Sequence, residues 1–142
     1  MPATFTAAPD LALPRRLVID TNVLLDWLVF GNPCAQAMIA ALQTRSALWL
    51  ATEPMLEELR RVLQYPALAV WEPNLAAIES LISAYVSPCR IPERSAPSEC
   101  RDADDQKYLD LAWTQQVDQL LSKDKLLLKA ARRCNLRVGP HM

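Results

Sequence analysis

Four carboxylates stand where an α/β chain could gather them. Asp20 closes the run Arg16-Leu17-Val18-Ile19-Asp20-Thr21-Asn22, whose three apolar residues, two of them β-branched, spell a short buried strand. The Asp, Thr and Asn at its end suit a strand-to-helix turn and the N-cap of the following helix. A carboxylate at the carboxyl end of a buried parallel strand lies where open α/β sheets bind their ligands. Glu58, Asp105 and Asp124 each follow a short loop or open a helix in a similar position. Acids gathered this way repel: at about 5 Å and an effective dielectric of about 20, each pair costs roughly 3 kcal/mol. A divalent cation removes that cost, and all-oxygen ligation selects a hard ion, Mg²⁺ or Mn²⁺, over zinc. Such an ion activates water for in-line attack and stabilises charge on a phosphate. Thr21, Asn22 and Ser122 are placed to orient a carboxylate or to bind the ion's water.

Helical phase separates the acids that lie side by side. Met55, Leu56, Leu59, Val62 and Leu63 form one apolar stripe, and Glu58 falls at its edge, about 40° from Val62. Glu57 points nearly opposite, into solvent. In the cluster Asp102, Asp104, Asp105, the last lies one turn before Leu109 on the same face, and Asp104 points away. Asp102 can cap that helix, with Asp105 reaching back in an imperfect capping box, or support an ion through a water. Each acid also has a plainer reading. Asp20 and Asp124 would serve as helix N-caps, and Glu58 as an ordinary surface glutamate.

The elements that must hold these residues alternate. Strands are expected at the first run, at Ala47–Ala51, at Gln119–Ser122 and near Leu136–Val138, with a short one from Val86 interrupted by Pro88. Helices are expected from Asn22 to Val29, Cys34 to Gln43, Glu53 to Leu63, Pro73 to Tyr85, Asp104 to Gln116 and Lys125 to Arg133. The stretch from Ile91 to Cys100, with Pro92 and Pro97, reads as a loop. The alternation implies a three-layer α/β/α sandwich around a mainly parallel sheet of four or five strands.

The 142 residues suffice for one domain with a proper core, and 51% hydrophobic content argues against bulk disorder. Residues 1–14, with three prolines, lack a basic start and a continuous apolar stretch. They read as a flexible extension rather than a secretory signal, leaving 15–142 as the domain. No apolar run reaches membrane-spanning length. Cys34, Cys89, Cys100 and Cys134 are scattered, which excludes a zinc ribbon and suits reduced thiols in a cytoplasm. A net charge of −1 excludes a binder held by bulk electrostatics alone, yet acids dominate Glu99–Asp110 while Lys123, Lys125, Lys129, Arg132, Arg133 and Arg137 cluster after them. A basic surface beside an acidic pocket suits a phosphodiester; a solvated helix face is the alternative.

The segments "LVIDTNVLLDWL", "ATEPMLEELRRVLQYP" and "RDADDQKYLDLAWTQQVDQLLSKDKLLL" resemble the PIN domain, a family of metal-dependent ribonucleases. They are similar to its branch of toxin components from toxin–antitoxin pairs, over about Arg16 to Leu128. The resemblance implies that Asp20, Glu58, Asp105 and Asp124 bind Mg²⁺ or Mn²⁺ and cleave RNA. In "DDxKxLxxA" the matched acid is Asp105, although relatives often carry Asn or Asp where Gln106 stands. Lys123 replaces the Gly that usually precedes the last acid, which narrows the turn or sets a cation beside the phosphate. An antitoxin protein is the implied partner, and a homodimer is compatible with the family. With no histidine near these segments, His-based RNA cleavage is set aside. A phosphotransfer receiver would need paired acids at its first strand, and a dehalogenase-like phosphatase an Asp-x-Asp. The remaining alternative is a non-catalytic RNA-binding or interaction module with a degenerate metal site.

Overall fold

Strand β1 (Arg15–Ile19) forms the middle of the molecule. In the computed structural model, which describes residues 13–142, β2 (Ala47–Ala51) lies on one side of it and β4 (Gln119–Leu121) on the other. β3 (Val86–Pro88) and β5 (Val138–Gly139) complete a five-stranded sheet in the order β3-β2-β1-β4-β5. All four pairings are parallel. Leu17, Val18 and Ile19 are all buried, although successive strand residues point to opposite faces, so both faces are covered. Leu120 and Leu121 repeat this on β4. The result is the α/β/α sandwich that the alternation of elements implies.

The chain moves outward from β1 to β2 and β3, then returns to the other side of β1 for β4 and β5. The order therefore reverses between β1 and β4. At such a switch point the loops leaving the two strands diverge and open a crevice at their carboxyl ends. Asp20 follows β1, and Ser122 to Asp124 follow β4.

Several boundaries differ from the sequence expectation. The helix after β1 begins as α1 (Thr21–Leu25) and widens into a π-helical turn, Asp26–Phe30, that stops at Gly31 with φ +60°. The extra residue per turn swings Asp26 into the interior, a phase shift invisible to a 3.6-residue count. A 3-10 turn (Pro33–Ala35) precedes α2 (Gln36–Gln43). α3 (Glu53–Val62) is followed by a short unforeseen helix, α4 (Pro66–Ala69), which Pro66 opens from its first position. α5 (Leu75–Tyr85) starts after Pro73 because Asn74 caps it through the Ala77 amide at 3.0 Å. α6 (Gln106–Thr114) is preceded by a 3-10 turn, Ala103–Asp105. α7 (Lys125–Arg133) matches its expected span, and the edge strand lies at Val138–Gly139 rather than Leu136–Val138. The expected extension over residues 1–14 falls almost wholly outside the described residues, and the four cysteines are free. Among the described residues no single helix is long and apolar enough to cross a membrane.

Candidate active site

The site is built at the β1–β4 switch point, and Asp20 is its deepest carboxylate. Its side chain accepts the Thr21 amide at 2.7 Å, which starts α1, and the Ser122 hydroxyl at 2.6 Å, which fastens it to β4. Ser122 is fully buried and its Oγ also accepts the Asp124 amide at 2.9 Å. One hydroxyl thus sets the spacing of two acids from opposite sides of the switch. Burial pushes the Asp20 carboxyl above its ordinary range, against the pull of Ser122 and Thr21, and the charges of Glu58 and Asp124 push the same way.

Asp124 caps α7, accepting from the Leu126 amide at 2.9 Å and the Leu127 amide at 3.3 Å. Asp105, half-buried at the end of its 3-10 turn, shares a hydrogen bond with Asp124. Burial, that bond, and the charges of Asp20, Asp124 and Asp102 push the Asp105 carboxyl up to about 7. Burial alone would raise Asp124 too, but the proton shared from Asp105 and the two helix amides outweigh it and hold Asp124 low. A single proton between two carboxylates is the ordinary answer to like charges without a counter-ion.

Glu58 is organised differently. It lies half-buried on α3 while Glu57 is exposed. Lys107 Nζ lies 2.7 Å from Glu58 Oε1, and Tyr108 OH donates to Oε2 at 2.5 Å. Thr21 Oγ1 also donates to Oε2, at 2.8 Å, and sits 2.8 Å from Tyr108 OH. Burial would raise the Glu58 carboxyl, but these partners together hold it below its ordinary value. The same burial, with Glu58 alongside, pushes the Tyr108 phenol up, so it stays a donor.

The structure therefore sets Asp20 within electrostatic reach of Glu58, Asp105 and Asp124, and Asp105 within reach of Asp124, with Glu58 neutralised in advance. Asp104 and Asp102 are exposed. Asp102 caps the 3-10 turn by accepting the Asp104 amide at 2.9 Å, while Asp105 turns toward Asp124 instead of reaching back to it. Asn22 Oδ1 accepts the Lys123 amide at 3.3 Å and so braces the β4–α7 turn. The Lys123 ammonium bonds buried Asp26 at 2.5 Å, which commits it to the protein rather than to a phosphate.

Three participants escaped the reading of the sequence: Asp26, Lys107 and Tyr108. Asp26 carries a signal, being the lone charge in the apolar run from Val23 to Phe30, where a buried carboxylate demands a cation. Lys107 and Tyr108 carry a weaker one, since their partner Glu58 is distant in sequence.

The donor atoms are of the kind a hard cation takes. Asp20, Asp105 and Asp124 present only oxygens, and among the described residues no ion pair reaches them. Among those residues no group of three or more His, Cys, Asp or Glu side chains is already arranged to hold a metal ion. Mg²⁺ suits such an open arrangement, since it keeps several waters and takes one or two carboxylates with substrate phosphates.

Comparison with curated proteins finds no match. Comparison with protein-family models matches residues 16–126, which contain all four acids, to the PIN domain. PIN domains are generally nucleases and usually use divalent metals. By that match over most of its length, this chain belongs to the PIN domain family.

Proposed function

We propose that the protein is a Mg²⁺- or Mn²⁺-dependent endoribonuclease, the toxin of a toxin–antitoxin pair, acting in the cytoplasm. The observation that carries this reading is the trio Asp20, Asp105 and Asp124, three acids without an ion-pair partner among the described residues at the switch point of a parallel sheet. Asp20, Asp105 and Asp124 would hold the cation, and Glu58 would join them once Lys107 is displaced. When bound, the ion supplies Lewis acidity toward the phosphate and a more acidic water.

The chain's own residues prepare that chemistry. Ser122 fixes Asp20 and Asp124 at a set separation, so little reorganisation is needed on loading. Asp105 holds a proton at its carboxyl and gives it up when a cation replaces it as the counter-charge. Thr21 and Tyr108 keep the Glu58 carboxylate aimed inward. RNA is the proposed substrate, and an antitoxin segment lying across the acidic crevice is the proposed partner; a homodimer is compatible with both.

The test is cleavage of RNA by the purified chain with and without EDTA, beside Asp20→Asn. Metal-dependent cleavage that Asp20→Asn abolishes supports the reading, and EDTA-resistant cleavage overturns it. The Glu58–Lys107 pair favours one second reading, a non-catalytic RNA-binding or interaction module whose site has lost a ligand. Calorimetric Mn²⁺ titration separates the two, since a decayed site takes up no ion.

A further inference from the structure

Beside the acidic centre, residues Glu99 to Arg101 and one side of α7 enclose a groove of about 430 Å³. Of the five cations that follow the last acid in the sequence, only Lys129 and Arg133 line it. They stand one helical turn apart on a single ridge, about 6 Å along the axis. Arg101 adds a third cation from the loop. Among the described residues none of the three takes part in an ion pair, and Glu99 is the only acid lining the groove. The opposite face of α7 buries Leu127 and Ala131, which fixes the direction in which the basic ridge points.

The groove runs up to the acids. Leu126, half-exposed on its floor, gives its amide to Asp124 at 2.9 Å. Cys100, also on the wall, has its thiol pushed up to about 11 by burial and then by the charges of Asp105, Asp110, Asp124 and Asp102. A cationic groove beside paired carboxylates, with half-exposed Leu126 offering apolar contact, has the charge that tracks a phosphate backbone. Its volume holds one or two nucleotides rather than a duplex.

We infer that this groove guides a single-stranded nucleic acid into the acidic centre, Arg101, Lys129 and Arg133 meeting successive phosphates and Leu126 lying under a base. This deepens the nucleolytic reading above and rests on it for the identity of the centre. A phosphate strand is favoured over an acidic peptide because the cations lead toward carboxylates, which repel a peptide's acids but, with a cation bound, attract a phosphodiester.

The experiment measures binding of a short fluorescent single-stranded RNA in EDTA across a salt series, with thermal melts for every variant. The groove variant Lys129→Gln/Arg133→Gln is set against Lys125→Gln/Arg132→Gln, which removes equal charge from the same helix outside the groove. The groove variant is expected to bind about tenfold more weakly, its salt slope smaller by about 0.7 for each phosphate no longer neutralised. Adding Arg101→Gln reduces the slope again. In cleavage assays the groove variants raise KM and leave kcat unchanged. Loss confined to the groove variants supports the inference even if the wild type cleaves nothing, a result that would count against the nuclease reading alone. Equal losses in both variants, no loss in either, or displacement of the RNA by polyglutamate as readily as by unlabelled RNA overturns it, even where metal-dependent cleavage is intact.

Discussion

The Lys107 ammonium lies 2.7 Å from Glu58 Oε1, so one of the four acids carries its own cation before any metal arrives. Both side chains are largely shielded, at 26% and 15% exposure, and the bond is charge-assisted. Lys107→Met is expected to lower the stability of the metal-free protein by about 1–2 kcal/mol. Because the partners hold Glu58 below its ordinary value, this contribution is present above about pH 4.5 and fades as pH falls through the depressed folded value. Adding Mn²⁺ should recover part of the loss. Melts in EDTA and in Mn²⁺ check this; an equal deficit in both would mean that the ion never reaches Glu58.

Asp20→Asn removes the buried carboxylate around which the crevice is built. Metal-dependent cleavage is expected to fall by at least about 100-fold, beyond the range typical of outer-sphere changes. The metal-free melt is expected to hold or to rise slightly, since burial already works against the ionised form. Cleavage rates and melts in EDTA are the measurements; unchanged cleavage would sink the proposed chemistry.

The three acids before α6 should separate in one Mn²⁺ titration. Asp105→Asn weakens binding strongly, exposed Asp104→Asn has little effect, and Asp102→Asn falls between while leaving stability nearly unchanged, since Asn caps the turn about as well as Asp. A result in which Asp104→Asn is the most damaging would reassign the ligand.

Asp105 also sets a pH dependence. With its carboxyl pushed up to about 7, the folded protein binds a proton that the unfolded chain releases near 3.8. Metal-free stability therefore declines as pH rises from about 4 through 7, while Mn²⁺ affinity rises over the upper part of that window. Asp105→Asn should flatten both curves. Calorimetry and melts across pH 5 to 8, roughly the range spanning this titration, read the effect.

Ser122→Ala deletes the hydroxyl that joins Asp20 to Asp124. The buried site then loses one donor and one acceptor, at a cost of about 1–3 kcal/mol, and Mn²⁺ affinity drops roughly 10-fold or more. Ser122→Cys restores neither fully. A wild-type Mn²⁺ isotherm from Ser122→Ala would show that the acids need no such spacer.

How far the sequence could be read depends on whether an interaction is local. The strands Leu17–Ile19, Ala47–Ala51 and Gln119–Leu121 are legible because burial on both faces demands continuous apolar runs. The exposure of Glu57 and Asp104 against the half-burial of Glu58 and Asp105 follows from helical phase, although Asp105 itself sits in a 3-10 turn. The π-helical turn was not legible, since one extra residue per turn leaves no mark in an apolar run such as Leu24 to Phe30. Nor were Lys107 and Tyr108, because their shared partner on α3 is set by packing rather than spacing. Edge strand β5 slipped by two residues because it is short, pairing only Val138 and Gly139.

The placement of β1 between β2 and β4 has a consequence for synthesis. Asp20 emerges from the ribosome well before its partner hydroxyl, which is 102 residues further along, and the Asp124 cap needs the amide of Leu127. Until that later stretch is translated, the first strand lacks one neighbour and the crevice lacks a wall. A nascent chain, or one halted before β4, thus carries Asp20 without the geometry to use it. The cell meets the assembled centre only once translation has passed the start of α7.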